Sequence, residues 1–201
     1  ASEIPAPVLD ALRLPLEKRE VRLTRARREV VYPADFQLVL AANPCACQRI
    51  KGQCTCKSPQ RARHLSNVSG PLKDRLDVFI TTAGDAAVLS PRDAEPSISI
   101  AQRVASSRER AAARWAKAGC NETVNGRVPA TLIRRHFPAK ESAMAMLQAA
   151  LMEDKITQRG VDKCLKLAWT LADLEEMDQP DIHHVCRAVE MREHQLQQEV
   201  A

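Results

Sequence analysis

Four of the seven cysteines in this 201-residue chain lie between Cys45 and Cys56, as Cys45-Ala46-Cys47, six intervening residues, and Cys54-Thr55-Cys56. A loop this short cannot build an apolar core of its own, so thiols this dense point to an external staple: disulfides in a secreted chain, a metal in a cytosolic one. Four thiolates can close a tetrahedral zinc site, and Gly52 lets the intervening loop fold back to join the two pairs. Such a zinc would be structural, because four protein ligands leave no open position for chemistry. The Cys-x-Cys spacing is tighter than the common Cys-x-x-Cys knuckle, and a redox or metal-free loop is the competing reading. His64 could replace a ligand, although beside Arg61 and Arg63 it reads as solvent-facing. Cys120, Cys164 and Cys186 are scattered, and the last two sit in helical patterns as small apolar residues.

No stretch approaches the roughly 18 apolar residues of a membrane helix. The first residues are neither a charged n-region nor an apolar signal core, and the chain reads as cytoplasmic. With 45% hydrophobic and 27% charged residues it has ordinary globular composition, enough for one large domain or two small ones. The net charge of +5 permits an anionic partner and equally serves solubility. Aromatic residues make up only 3%, so contact with nucleic acid is expected to be mostly electrostatic rather than by base stacking.

Periodicity divides the chain near residues 84 to 97, where GDAAVLSPRDAEPS has no regular pattern. Before it, VLDALRLPLE is predicted helical, Glu20 to Tyr32 reads as two short strands, and FQLVLAA is a continuous apolar run of the kind that suits a strand covered on both faces. After it, helices dominate. Ala101, Val104, Ala105, Ala111, Ala112 and Trp115 recur at three- and four-residue steps, followed by Met144, Leu147 and Leu151, then Leu165, Ala168 and Ala172, then Ile182, Val185 and Val189.

The run from Phe36 to Ile80, FQLVLAANPCACQRIKGQCTCKSPQRARHLSNVSGPLKDRLDVFI, joins an apolar strand, an Asn-Pro, the cysteine cluster and a Leu-Asp-Arg-type segment. It resembles the magnesium chelatase-like AAA+ ATPases, in the ComM-like branch associated with competence and DNA processing. PAPVLDALRLPLE and LAWTLADLE carry the likeness from Glu3 to about Arg192. The resemblance implies an α+β, mainly helical chain. Residues 1 to 88 would be the C-terminal part of an AAA+ α/β nucleotide-binding subdomain, with an arginine-rich hairpin at about 20 to 32 and the Cys-rich loop at 45 to 56. Residues 96 to 195 would be its helical lid. A P-loop needs Gly-x-x-x-x-Gly-Lys-Ser/Thr, and none of the six glycines precedes a Lys. By the resemblance the chain starts just downstream of the Walker B carboxylate. It reads as the back half of an ATPase, needing an upstream half to bind ATP with magnesium; the competing readings are the motor subunit of a metal chelatase and a non-catalytic, truncated fragment that only binds partners.

Asn43 ends the apolar run before Pro44, which by local pattern says only that a strand stops. The resemblance implies the first sensor, an amide that positions water or hydrogen-bonds the γ-phosphate. Arg75 reads locally as a surface arginine paired with Asp74 or Asp77, in a segment that ends in a strand at LDVFI. By resemblance it is an arginine finger acting on the neighbouring subunit of an oligomeric ring, a hexamer in the family. Arg159 and Lys163 share a helix face, either as a solvated basic stripe or, by resemblance, as the second sensor on phosphate; the family usually has Arg at the position of Lys163. Arg25, Arg27 and Arg28 crowd the turn of the hairpin, as a solvated charge cluster or, by resemblance, as sequence-blind contacts to DNA phosphates. Arg61 and Arg63 would extend that basic surface.

Overall fold

A computed structural model of the chain describes residues 1–26, 28–43, 45–47, 54–82 and 95–193. The described residues are mainly helical with one two-stranded sheet, and they divide into two compact units. One is Ala1–Leu76 with Thr82–Gly84; the other is Asp77–Thr81 with Asp85–Ala201. No helix among the described residues is long and apolar enough to cross a membrane.

The first unit opens with two short helices, α1 (Ala6–Ala11) and α2 (Arg13–Lys18). Arg19 ends α2 in the left-handed conformation (φ 57°), its amide donating to the Pro15 carbonyl. The chain then enters an antiparallel hairpin of β1 (Glu20–Arg25) and β2 (Arg28–Pro33), in which Leu23 faces Val30 and Arg25 faces Arg28. Helices α3 (Ser58–Leu65) and α4 (Gly70–Lys73) follow, α4 being capped by the Ser69 hydroxyl on the Leu72 amide. Among the described residues, the apolar ones buried in this unit are few: Leu9, Pro15, Cys45 and Leu72.

FQLVLAA departs from expectation. Phe36–Ala42 carries no strand assignment, and Val39 is 81% exposed. A strand is made by its neighbours, and the only ladder among the described residues joins β1 to β2. LDVFI likewise forms no strand. Its Phe79 amide donates instead to the Met191 carbonyl at the end of the last helix.

The second unit is built from α5 (Ser97–Lys117), a 3-10 turn at Asn125–Arg127, α6 (Ala130–His136), α7 (Glu141–Met152), α8 (Gln158–Leu174) and α9 (Ile182–Glu193). Gly119 closes α5 at φ 70°: its own amide reaches the Ala116 carbonyl and the Cys120 amide reaches the Trp115 carbonyl, the paired C-terminal cap that favours a glycine. Helix α8 starts at Thr157, whose hydroxyl accepts from the Gly160 amide, and buries Val161, Cys164, Leu165, Ala168, Trp169 and Ala172 along one stripe. Trp115, Phe137 and Trp169 meet edge to face with ring centroids 5.0, 6.1 and 6.4 Å apart. The expected periodicity of α5 holds only in its second half. Ala111 and Trp115 are buried, whereas Ala101 and Ala105 are exposed. The linker expected at 84–97 falls largely outside the described residues.

Candidate functional site

The cysteine loop brings its four thiols together. The Sγ atoms of Cys45, Cys47, Cys54 and Cys56 all lie within 4.8 Å of one another, with Cys54 3.4 Å from Cys45 and 3.5 Å from Cys47. Zinc–sulfur bonds of about 2.3 Å in a tetrahedron put neighbouring sulfurs about 3.8 Å apart, so the cluster matches that donor set with little adjustment. Cys45 is buried and the other three are half-buried. The thiols do not titrate alike. The Cys47 amide N–H holds the Cys45 thiol down at about 7, whereas contact with the Cys45 and Cys47 sulfurs pushes Cys56 up to about 12. Cys54 is also raised: the Cys56 amide favours its thiolate, but the Cys45 and Cys47 sulfurs outweigh that. Hydrogen bonding within the cluster thus favours the Cys45 thiolate and holds Cys54 and Cys56 in the protonated form. A divalent cation supplies the charge that reverses this, and metal binding therefore releases protons. Four close cysteines able to hold a metal ion, compatible with zinc, are thus a feature of the first unit.

On the hairpin, Arg25 and Arg28 are exposed and opposite one another at the tip, while Arg27 lies outside the described residues. Arg61 and Arg63 are exposed on α3. His64 is half-buried rather than solvent-facing, with its Nε2 shielded and without a hydrogen bond. Asn43 is exposed, two residues before the buried Cys45.

Arg75 follows α4 and folds back on its own unit. Its Nη2 donates to Glu17 Oε2 on α2 and its Nη1 to the Pro71 carbonyl, both at 2.8 Å, leaving the side chain 16% exposed. The local expectation of Asp74 or Asp77 as its partner is thereby corrected to Glu17. A single ion pair to a carboxylate that is itself 42% exposed is worth only about 0.2–1 kcal/mol, so the guanidinium is held in place at little cost to its release.

In the second unit Arg159 is exposed at the start of α8, and Lys163, one turn on, is half-buried. Lys163 Nζ lies 2.9 Å from Asp77 Oδ1, and the Arg192 guanidinium donates to the Asp77 carbonyl at 3.4 Å. The segment after Arg75 thus presents a carboxylate to the lysine expected to meet phosphate.

Two networks escaped sequence reasoning. Asp173 is fully buried and ion-paired with Arg114, whose guanidinium stacks 3.9 Å from the Trp169 ring centroid. Asn125 joins them, accepting from Trp115 Nε1 at 2.9 Å and donating to Asp173 Oδ2 at 2.9 Å. The available signal was Asp173 itself, a carboxylate four residues after Trp169 on the apolar stripe of α8. The second network caps α9: the Asp181 carboxylate accepts from the His183 amide at 3.0 Å and lies 2.6 Å from His184 Nδ1. The Nε2 of this buried His184 stands 3.2 Å from Glu175 Oε2 but without hydrogen-bond geometry.

The described residues thus hold a two-stranded ribbon and a four-cysteine loop in one unit and a bundle of helices in the other. Comparison with known proteins makes this specific. Residues 1–88 match the family described as magnesium chelatase, subunit ChlI, and residues 94–192 match the C-terminal domain of the same subunit. An uncharacterized protein of Mycobacterium tuberculosis is 42% identical over 194 residues, which is 96% of this chain and 38% of that protein. YifB of Escherichia coli is 32% identical over 188 residues, 92% of this chain and 36% of that protein. Competence protein ComM of Haemophilus influenzae is 31% identical over 195 residues, 94% of this chain and 37% of that protein. The chain belongs to the magnesium chelatase-like, ComM-like family of AAA+ proteins, and it spans 36–38% of the length of these relatives.

Proposed function

We propose that this chain is the sensor, arginine-finger and lid portion of an ATP-hydrolysing ring motor that acts on DNA, as in translocation or branch migration. The observation that carries the reading is the exposed arginine pair at the tip of the hairpin, in a chain similar along nearly its whole length to a competence protein. Asn43 positions the attacking water. Arg75, released from Glu17, neutralises transition-state charge on the neighbouring subunit, a contribution of about 10³–10⁵ in turnover for arginine fingers. Arg159 and Lys163 meet phosphate, Lys163 after exchanging Asp77 for it. The cysteine loop takes a structural zinc, the ion supplying only a fixed loop shape. ATP with magnesium requires an upstream P-loop half, because this sequence has no Gly-Lys step.

The test is ATP turnover by the protein carrying its P-loop half, with and without forked DNA, alongside Arg75→Ala. Turnover stimulated by DNA and reduced at least a hundredfold in the variant supports the DNA motor. Turnover that responds instead to a chelatase partner subunit would support a second reading, metal insertion into a porphyrin, which the family's chelatase description favours. Turnover unchanged in Arg75→Ala rules out the finger.

A further inference from the structure

The register of the hairpin sorts its side chains. Residues two apart share a face, so Glu20, Arg22 and Thr24 stand with Glu29 and Val31, while Val21, Leu23 and Arg25 stand with Arg28, Val30 and Tyr32. Both hairpin carboxylates fall on the first face, where Arg22 bridges them at 2.7 Å to Glu20 and 3.3 Å to Glu29. The second face has no carboxylate. It carries two cross-strand arginines at the tip and an open apolar surface behind them, with Leu23 56%, Val30 46% and Tyr32 51% exposed.

Resting on the DNA reading above, we infer that this second face is a docking surface for single-stranded DNA, with Arg25 and Arg28 on phosphates and Tyr32 stacked on a base. The charge sorting selects a polyanion for this face and excludes it from the other. The apolar surface selects the unpaired strand. A duplex offers phosphates and groove edges but keeps its base faces inside the stack, so an apolar and aromatic ribbon face gains nothing from it; a single strand presents those base faces. Arg28 and Tyr32 are four residues apart on one strand, about 13 Å, which corresponds to about four nucleotides of stacked strand. Three of the six aromatic side chains are committed to the Trp115, Phe137 and Trp169 cluster, and Tyr32, the single tyrosine, stands on the arginine face. A low aromatic fraction is therefore no argument against stacking at this position.

The test is fluorescence anisotropy of a labelled 20-nucleotide single strand and of the matching duplex, titrated with the chain at several salt concentrations. Arg25→Ala with Arg28→Ala should weaken single-strand binding at least tenfold and flatten the salt slope by about 1.4. Tyr32→Ala should cost roughly tenfold on the single strand and less than twofold on the duplex, Tyr32→Phe should restore binding, and Arg22→Ala, on the opposite face, should stay within twofold. If no nucleic acid binds, or the arginine variant changes nothing, the DNA reading and this inference fall together. If the arginines matter but duplex binds as tightly as single strand and Tyr32→Ala is silent, this inference alone falls. It also falls alone if Tyr32→Ala leaves DNA affinity intact and dissociates a dimer in sedimentation, since a second copy then covers the face.

Discussion

The two units bury their apolar residues to very different degrees. The helical unit closes around Trp115, Phe137 and Trp169, with Ile133, Leu147, Leu165 and Val185 no more than 1% exposed, and even its buried carboxylate is paired. Among its described residues, the first unit leaves Leu23, Val30, Phe36 and Val39 open while burying little apolar surface beyond Leu9, Pro15, Cys45 and Leu72. A helix satisfies its own backbone hydrogen bonds and needs only a partner for its apolar stripe, so a helical bundle can complete itself. Extended chain needs a neighbour for the backbone as well. The first unit, short of such neighbours, rests on local caps and on its thiol cluster.

The comparison breaks most sharply at the cysteine loop. With zinc bound, chelation or Cys54→Ser should abolish the unfolding transition of the first unit, followed by its hydrogen exchange, and leave the helical unit's transition unchanged. The affinity for zinc should fall as pH falls, because thiols such as Cys56, pushed up to about 12, must give up protons to bind. Equal loss in both units would show that the two do not stand independently. The next largest effect lies in the helical unit. Asp173→Ala leaves Arg114 without its buried carboxylate and Asn125 with Thr170 Oγ1 as the remaining acceptor of its amide, at a cost of about 3–5 kcal/mol in denaturant unfolding. A cost below 1 kcal/mol would mean that water replaces the carboxylate. Leu165→Ala, at a fully packed position, should cost about 2–5 kcal/mol.

The same contrast decides what was legible. Helix periodicity located α7, α8 and α9, because Leu147, Leu165, Ala168, Val185 and Val189 report a face that the chain itself covers. The hairpin was legible for a local reason: β1 and β2 are adjacent in sequence, and alternation plus a charged turn specify them without distant help. FQLVLAA was misread because an apolar run specifies a wish for neighbours and not their presence. The thiol cluster was readable from spacing alone. The partners of Arg75 and Lys163 were not, since Glu17 is 58 residues from Arg75 in sequence and only the fold brings them to 2.8 Å.

A smaller effect concerns pH. Burial of the Asp181 carboxylate works against its ionised form, but hydrogen bonding and charge from His184 and the His183 amide outweigh this and lower its pKa. A depressed folded value means that Asp181 stabilises the helical unit above the ordinary aspartate range near about pH 4 and loses that contribution as pH falls through the folded value. Asp181→Asn should flatten the acid limb of the stability profile of this unit. A limb as steep as that of the parent would remove Asp181 from the account.

The smallest expected effect is the most informative about the first unit. Val39 sits in an apolar run yet is 81% exposed, so Val39→Ser removes almost no buried surface in this chain and should change stability by less than about 0.5 kcal/mol. The same substitution in a longer protein that supplies neighbouring strands should cost about 1–3 kcal/mol, the value of burying a valine-sized side chain. A neutral result in both would mean that the run stays exposed and that its apolar character serves a partner rather than a sheet. A large cost in the chain alone would mean that Phe36–Ala42 is already covered, and the contrast between a self-completed helical unit and an open first unit would fail at its clearest point.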